Sequence, residues 1–139
     1  MRWPVTLAAG FVSLTALGAH PQGDPPQRAP RTATVNVTCP RPGGNQRDAV
    51  QPWEVRLQLG DSLEWNLMEP ILSDTIDISL KETGRRWPFA NPDRPRGRRI
   101  ARAHRARDRG RFAYNITLRC PGPGGQPRLV VIDPEFIID

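Results

Sequence analysis

Lysine is almost missing from this chain: Lys81 is the only one, and the other nineteen of the 20 basic residues are arginine. A ratio this lopsided is what a GC-rich coding sequence produces, because arginines selected for phosphate contact would not by themselves empty every other surface of lysine. The net charge of +6 is therefore no nucleic-acid signature on its own. It is also local. Residues 94–111 hold nine Arg against Asp108, for +8, whereas the rest of the chain beyond residue 21 has ten basic against thirteen acidic residues, for −3. The body of the protein is mildly acidic.

Histidine and cysteine are scarce, with two of each. His20, His104, Cys39 and Cys120 are too scattered for a zinc cluster. A Ser-His-carboxylate triad would have to recruit His104 from the basic segment, and no glycine-rich phosphate loop stands between a strand and a helix. Asp61, Asp74 and Asp77 do not make a paired-acid site, since a turn accounts for Asp61 and the polar face of a strand for Asp77. No enzyme and no cofactor are expected.

Long hydrophobic runs are missing too. The one apolar stretch, residues 5–17, falls short of the roughly 20 residues a membrane span needs. Arg2 precedes it and the small residues Gly18 and Ala19 follow, the pattern of a secretory signal peptide over residues 1–19, cleaved after Gly18 or Ala19. Neither site is followed by cysteine, so nothing suggests a lipid anchor. The expectation is a secreted or periplasmic protein, soluble after cleavage and without a membrane span. Residues 20–31 then read as a Pro-rich linker.

A total of 139 residues leaves room for one domain, residues 32–139, and 16 Pro with 12 Gly favour short elements joined by turns over long helices. What fills the domain has period two. Val35, Val37 and Cys39 alternate with polar residues, as do Trp53, Val55, Leu57 and Leu59. After Gly60-Asp61, read as the turn joining two strands, come Leu63, Trp65 and Leu67; then Ile76, Ile78 and Leu80; then Phe112 to Cys120. Residues 128–132 and 136–138 close the chain as a strand broken at Asp133-Pro134-Glu135, because proline cannot donate to a ladder. Six to seven strands without helical periodicity predict an all-β fold, an antiparallel Greek-key β-sandwich. Cys39 and Cys120 both fall on the apolar parity at strand ends, each before a Pro-Gly-rich turn, and in an exported chain they are expected to form one disulfide. The alternative is a reactive or metal-ligating Cys120.

Leu59-Gly60-Asp61-Ser62-Leu63-Glu64-Trp65 resembles the strand-turn-strand signature of cupredoxins, and Phe112-Ala113-Tyr114 leading to Cys120 and an apolar C-terminal strand is similar to the cupredoxin ending that carries the copper thiolate. The resemblance spans residues 32–138 and implies the sandwich. The metal site does not follow, because a blue-copper centre needs two His, one Cys and usually an axial Met. Met68-Glu69-Pro70 stands where the first His is due, and Pro121-Gly122-Pro123-Gly124-Gly125-Gln126-Pro127 where the second His and the Met are due.

Two features go beyond what a sandwich requires. Trp87-Pro88-Phe89 lies in a long connection and is expected to plug one end of the sandwich; the sharper reading makes Trp87 and Phe89 a partner contact. The basic run, with Arg94, Arg96, Arg98, Arg99, Arg102, Arg105, Arg107, Arg109 and Arg111, is expected to be a solvated loop, with an anion-binding arm as the alternative. Interleaved aromatics are missing, so nucleic acid is not the expected partner; anionic lipid headgroups, an acidic polysaccharide or another exported protein are. The leading expectation is an exported, metal-free cupredoxin-like domain acting as a binding or structural module. Its rivals are a copper-handling or redox protein using Cys120 and a polyanion-binding protein using residues 94–111.

Overall fold

Among the described residues, alternating apolar and polar side chains fold into nine strands in two facing sheets. The structure is a computed structural model that describes residues 28–91, 95–96 and 100–139, with 73–75 described by backbone alone. The expected signal peptide, residues 20–27 of the linker, and Arg94, Arg98 and Arg99 lie outside the described residues. The strands are β1 (Thr32–Val37), β2 (Val50–Gln51), β3 (Glu54–Leu57), β4 (Ser62–Leu67), β5 (Leu72–Leu80), β6 (Ile100–Ala103), β7 (Gly110–Pro121), β8 (Pro127–Ile132) and β9 (Glu135–Ile138). One sheet has the order β2-β1-β4-β6 and the other β3-β9-β7-β5, with β8 also on β7. Among the described residues no helix is long and apolar enough to cross a membrane.

Each strand buries one parity of its residues, as a half-buried sheet demands. In β4 these are Leu63, Trp65 and Leu67, and in β7 they run from Phe112 through Tyr114, Ile116 and Leu118 to Cys120. Trp65 and Tyr114 meet across the sandwich: the indole Nε1 donates to the Tyr114 hydroxyl at 3.1 Å, and burial pushes the phenol's pKa up, so Tyr114 stays neutral. Phe136 packs against Phe89, Phe112 and Tyr114 with ring centroids 5.1 to 5.3 Å away. Trp53 sits on the rim of this core, with the Arg47 guanidinium 5.4 Å from its ring centroid.

Three points depart from the sequence reading. The sheets are mixed where only antiparallel pairing was expected: β1 runs parallel to β4, and β3 parallel to β9. Period two is the same in either direction, so alternation carries no information about it. The Gly60-Asp61 turn makes no hairpin, since β3 and β4 belong to opposite sheets and the turn carries the chain from one to the other; Gly60, at φ 90°, takes the left-handed conformation this corner needs. The closing strand divides into β8 and β9, which lie end to end along β7, with β8 on Ile116 to Pro121 and β9 on Gly110 to Ala113. The break falls at Asp133-Pro134, where the ladder lacks a donor, and the Pro134 carbonyl is used instead, accepting from the Tyr114 N–H at 3.1 Å.

Candidate functional site

From Ile100 onward the basic run is not a solvated loop. Residues 100–103 form β6, antiparallel to β4, with Ala101 opposite Trp65 and Ala103 opposite Leu63. Ala101, Ala103 and Ala106 are buried. In the Arg-Ala alternation the alanines face inward and the arginines outward, and methyl-sized side chains fit beside the large indole of Trp65. The segment stays tied beyond β6. Ala106 donates to the Asp61 carbonyl at 2.7 Å and accepts from Gly60 at 2.9 Å, while the Arg107 N–H donates to Pro88 O at 2.8 Å.

Anchoring separates the arginines into two groups. Arg96 faces Asp77 at 3.6 Å, Arg102 meets Glu64 at 2.9 Å, and Arg111 reaches both Glu135 at 2.6 Å and Glu54 at 3.3 Å. These pairs are solvent-facing and each contributes less than about 1 kcal/mol. Arg105, Arg107 and Arg109 are exposed and pair with no carboxylate among the described residues. Ala106 between Arg105 and Arg107 is buried while both arginines are exposed, and Arg109 is exposed beyond the bend at Asp108. Arg109 also lines a cleft of about 540 Å³ with Arg28, Pro30, Gln58, Leu59 and Asp139.

Beneath this segment lies a buried charge that sequence reasoning treated only as a turn residue. Asp61 is 1% exposed. Its Oδ2 accepts from Arg28 Nη2 at 2.7 Å and from the Gln58 N–H at 2.9 Å, and its Oδ1 accepts from the Arg31 N–H at 2.9 Å. The end of the expected linker is thus fastened to the domain by Arg28 and Arg31. Burial by itself would raise the carboxyl's pKa, but the two backbone donors and the Arg28 guanidinium outweigh it and hold Asp61 below its ordinary value. A carboxylate whose folded pKa is depressed stabilises the fold above its unfolded pKa of about 4, and that contribution is lost as pH falls through the folded value. Asp61→Ala should cost about 2 to 3 kcal/mol at pH 7, chiefly from two backbone donors left without an acceptor. Arg28 is 40% exposed, so water replaces much of its share. Urea unfolding of both proteins at pH 7 and at pH 2 checks this: the difference between them should shrink at the lower pH.

The remaining site residues fall as follows. Phe89 is 1% exposed and packs on Phe136, so it plugs the sandwich as the primary expectation had it and cannot also be a partner contact. Trp87 is half-buried beside it, with ring centroids 5.3 Å apart. Cys39 and Cys120 form a disulfide with Cα atoms 5.8 Å apart, so the redox and copper reading lacks the free thiol it needs. Among the described residues no three His, Cys, Asp or Glu side chains are grouped to hold a metal ion. A second cleft, of about 420 Å³, lies by the disulfide between Cys39, Arg41, Asn45 and Asp48. The carboxylate partners of the basic run, Glu54, Glu64 and Glu135, went unnoticed in the sequence; their signal was an outward parity, which becomes a pairing only once strand register is known. No protein-family model matches the sequence, and no curated protein matches it.

Proposed function

We propose that this chain is an exported, non-enzymatic binding module, a cupredoxin-like Greek-key sandwich without the copper centre, whose ligand is an acidic polysaccharide held by Arg105, Arg107 and Arg109. One observation carries the reading. Of the described arginines in the basic run, these three alone have no carboxylate partner among the described residues, they lie within five residues of one another, and the backbone of Arg105 and Arg107 is hydrogen-bonded to Ala90 and Pro88. A backbone already held in place leaves only side-chain freedom to be lost when clustered cations bind a chain of anions. A lipid surface fits less well, because among the described residues the run and its cleft expose few large apolar side chains, Leu59 and Ile100. Nucleic acid fits less well too, because among the described residues no large aromatic ring is fully exposed for bases to stack on. Export is supported by the disulfide and by the sequence of residues 1–19; the cupredoxin-like assignment rests on the Gly60-Asp61 corner leading into Trp65 and on Tyr114 and Cys120 sharing one strand.

Heparin serves as the probe. The wild type should be retained on immobilised heparin at 0.15 M salt, where screening acts over about 8 Å, and should elute as salt rises. The triple variant Arg105→Gln/Arg107→Gln/Arg109→Gln should lose that retention with its melting temperature unchanged, because none of the three makes an ion pair among the described residues. Arg102→Gln/Arg111→Gln removes as much charge from paired positions as two of those changes and should retain most of the binding. Equal loss in both variants would reduce the effect to net charge, and retention on anionic vesicles but not on heparin would favour a lipid surface.

A further inference from the structure

Leu59 has no place in the core. Its parity in the sequence is that of Val55 and Leu57, which β3 buries, yet it is 43% exposed, because the chain leaves the strand at Leu57 and turns at Gly60. It lines the cleft of about 540 Å³ shared with Arg28, Pro30, Gln58, Arg109 and Asp139, a size within the roughly 300 to 1,000 Å³ of small-ligand sites. Part of this lining is fixed in advance. Arg28 Nε donates to Gln58 Oε1 at 3.0 Å, Nη2 to Asp61 Oδ2 at 2.7 Å and Nη1 to the Ala29 carbonyl at 3.4 Å. Three of the five N–H donors of the guanidinium are thus engaged and two are left over, on a side chain that is still 40% exposed. Among the described residues the Gln58 side-chain amide has no acceptor for its own N–H groups, and Arg109 brings a guanidinium without a carboxylate partner to the same cleft. Asp139 adds an exposed carboxylate, whose Oδ2 lies 3.9 Å from Arg56.

We propose that this cleft seats one uronic acid residue of the acidic polysaccharide: Arg109 and the spare N–H groups of Arg28 take the carboxylate, Gln58 and Asp139 bond the ring hydroxyls, and Leu59 and Pro30 pack against the C–H face of the ring. The inference rests on the polysaccharide reading and adds to it the unit that is recognised. A sugar acid needs this mixture of groups. A bare anion would use the two cations and leave the carboxylate, the amide and the apolar surface idle, whereas a neutral sugar would leave the cations unused. The lining side chains carry two positive charges against one negative, a surplus that matches a single carboxylate and not a doubly charged phosphate. The planar guanidinium fork suits a carboxylate. Asp61 enters as a positioning residue: it holds the Arg28 guanidinium in place, so that less side-chain freedom is lost when the sugar binds.

Methyl glucuronide, titrated into the isotope-labelled, oxidised protein and followed by amide chemical shifts, tests it. The amides of residues 58–60 and 109 should shift and saturate in the millimolar range. Methyl glucoside, which keeps the ring and hydroxyls without the charge, and inorganic sulfate, which keeps charge without the ring, should each bind about tenfold more weakly. Arg28→Gln and Leu59→Ser should each weaken glucuronide binding by about tenfold. Leu59 is exposed, so its variant keeps the wild-type melting temperature and decides the matter even if Arg28→Gln loosens the Asp61 contacts. Neither change touches Arg105, Arg107 or Arg109, which keeps the two readings apart. A wild type that heparin does not retain overturns the polysaccharide reading and this one with it; heparin retention without glucuronide shifts at the cleft overturns the sugar seat alone. Equal affinity for sulfate or for the glucoside, or a Leu59→Ser protein that binds glucuronide as the wild type does, also overturns the seat.

Discussion

Trp65→Ala should lower the free energy of unfolding by about 3 to 5 kcal/mol, the usual cost of truncating a buried large aromatic. Trp65 is fully buried in β4 of one sheet, and its ring meets Tyr114 of the other edge-on with centroids 5.8 Å apart. Truncation opens a cavity at the centre of the core and removes the donor that satisfies a buried hydroxyl, two losses that add. The neighbouring Ala101 and Ala103 are too small to move in and fill the space. Trp65→Phe keeps most of the ring volume and should cost less, about 1 to 3 kcal/mol, mainly through the unpaired Tyr114 hydroxyl. Equilibrium urea unfolding of the three proteins gives both values; a loss under 1 kcal/mol for Trp65→Ala would mean that this indole does not span the sandwich.

The strands that could be read from the sequence were those in which large apolar residues mark the inner face. Leu63, Trp65 and Leu67, or Phe112 through Cys120, leave no other parity available once one face must be dry. β6 failed the same reading because its inner residues are alanines: Ala101 and Ala103 bury little area alone, and their role is to leave room for Trp65. With β6 unseen, nine of the chain's arginines looked like a loop, although the alternation of arginine and alanine was itself a strand pattern. Direction was unreadable for another reason. The parallel pairing of β1 with β4 joins segments 30 residues apart, and local periodicity holds no information at that range. The Asp61 clamp needs Arg28 and Arg31, which a proline-rich composition assigned to a linker, so a polar residue at a turn hid a buried ion pair. The disulfide was legible because both cysteines stood on the buried parity, even though β1 ends two residues before Cys39.

Removing the disulfide should have an effect of similar size by a different route. Cys39 follows β1 in one sheet and Cys120 lies in β7 of the other, 81 positions further along the chain, so the bond closes most of the domain into one loop. Closing a loop of that length removes enough entropy from the unfolded chain to stabilise the fold by about 4 kcal/mol. The Cys39→Ala/Cys120→Ala double variant should lose that amount, measured without reductant against the oxidised wild type, and dithiothreitol should weaken the wild type but not the variant. The cost resides mainly in the unfolded state, whereas that of Trp65→Ala resides in the native core, and the two positions on β7, Tyr114 and Cys120, are six residues or about 20 Å apart. Sites that far apart with no shared partner add to within about 0.5 kcal/mol. The combined Trp65→Ala and cysteine variant should therefore lose about 7 to 9 kcal/mol, comparable to the total stability of an ordinary domain, and should be largely unfolded at 25 °C. A combined variant that still unfolds cooperatively in urea, with a midpoint near that of either parent, would show that one of the two ties across the sandwich is absent in solution.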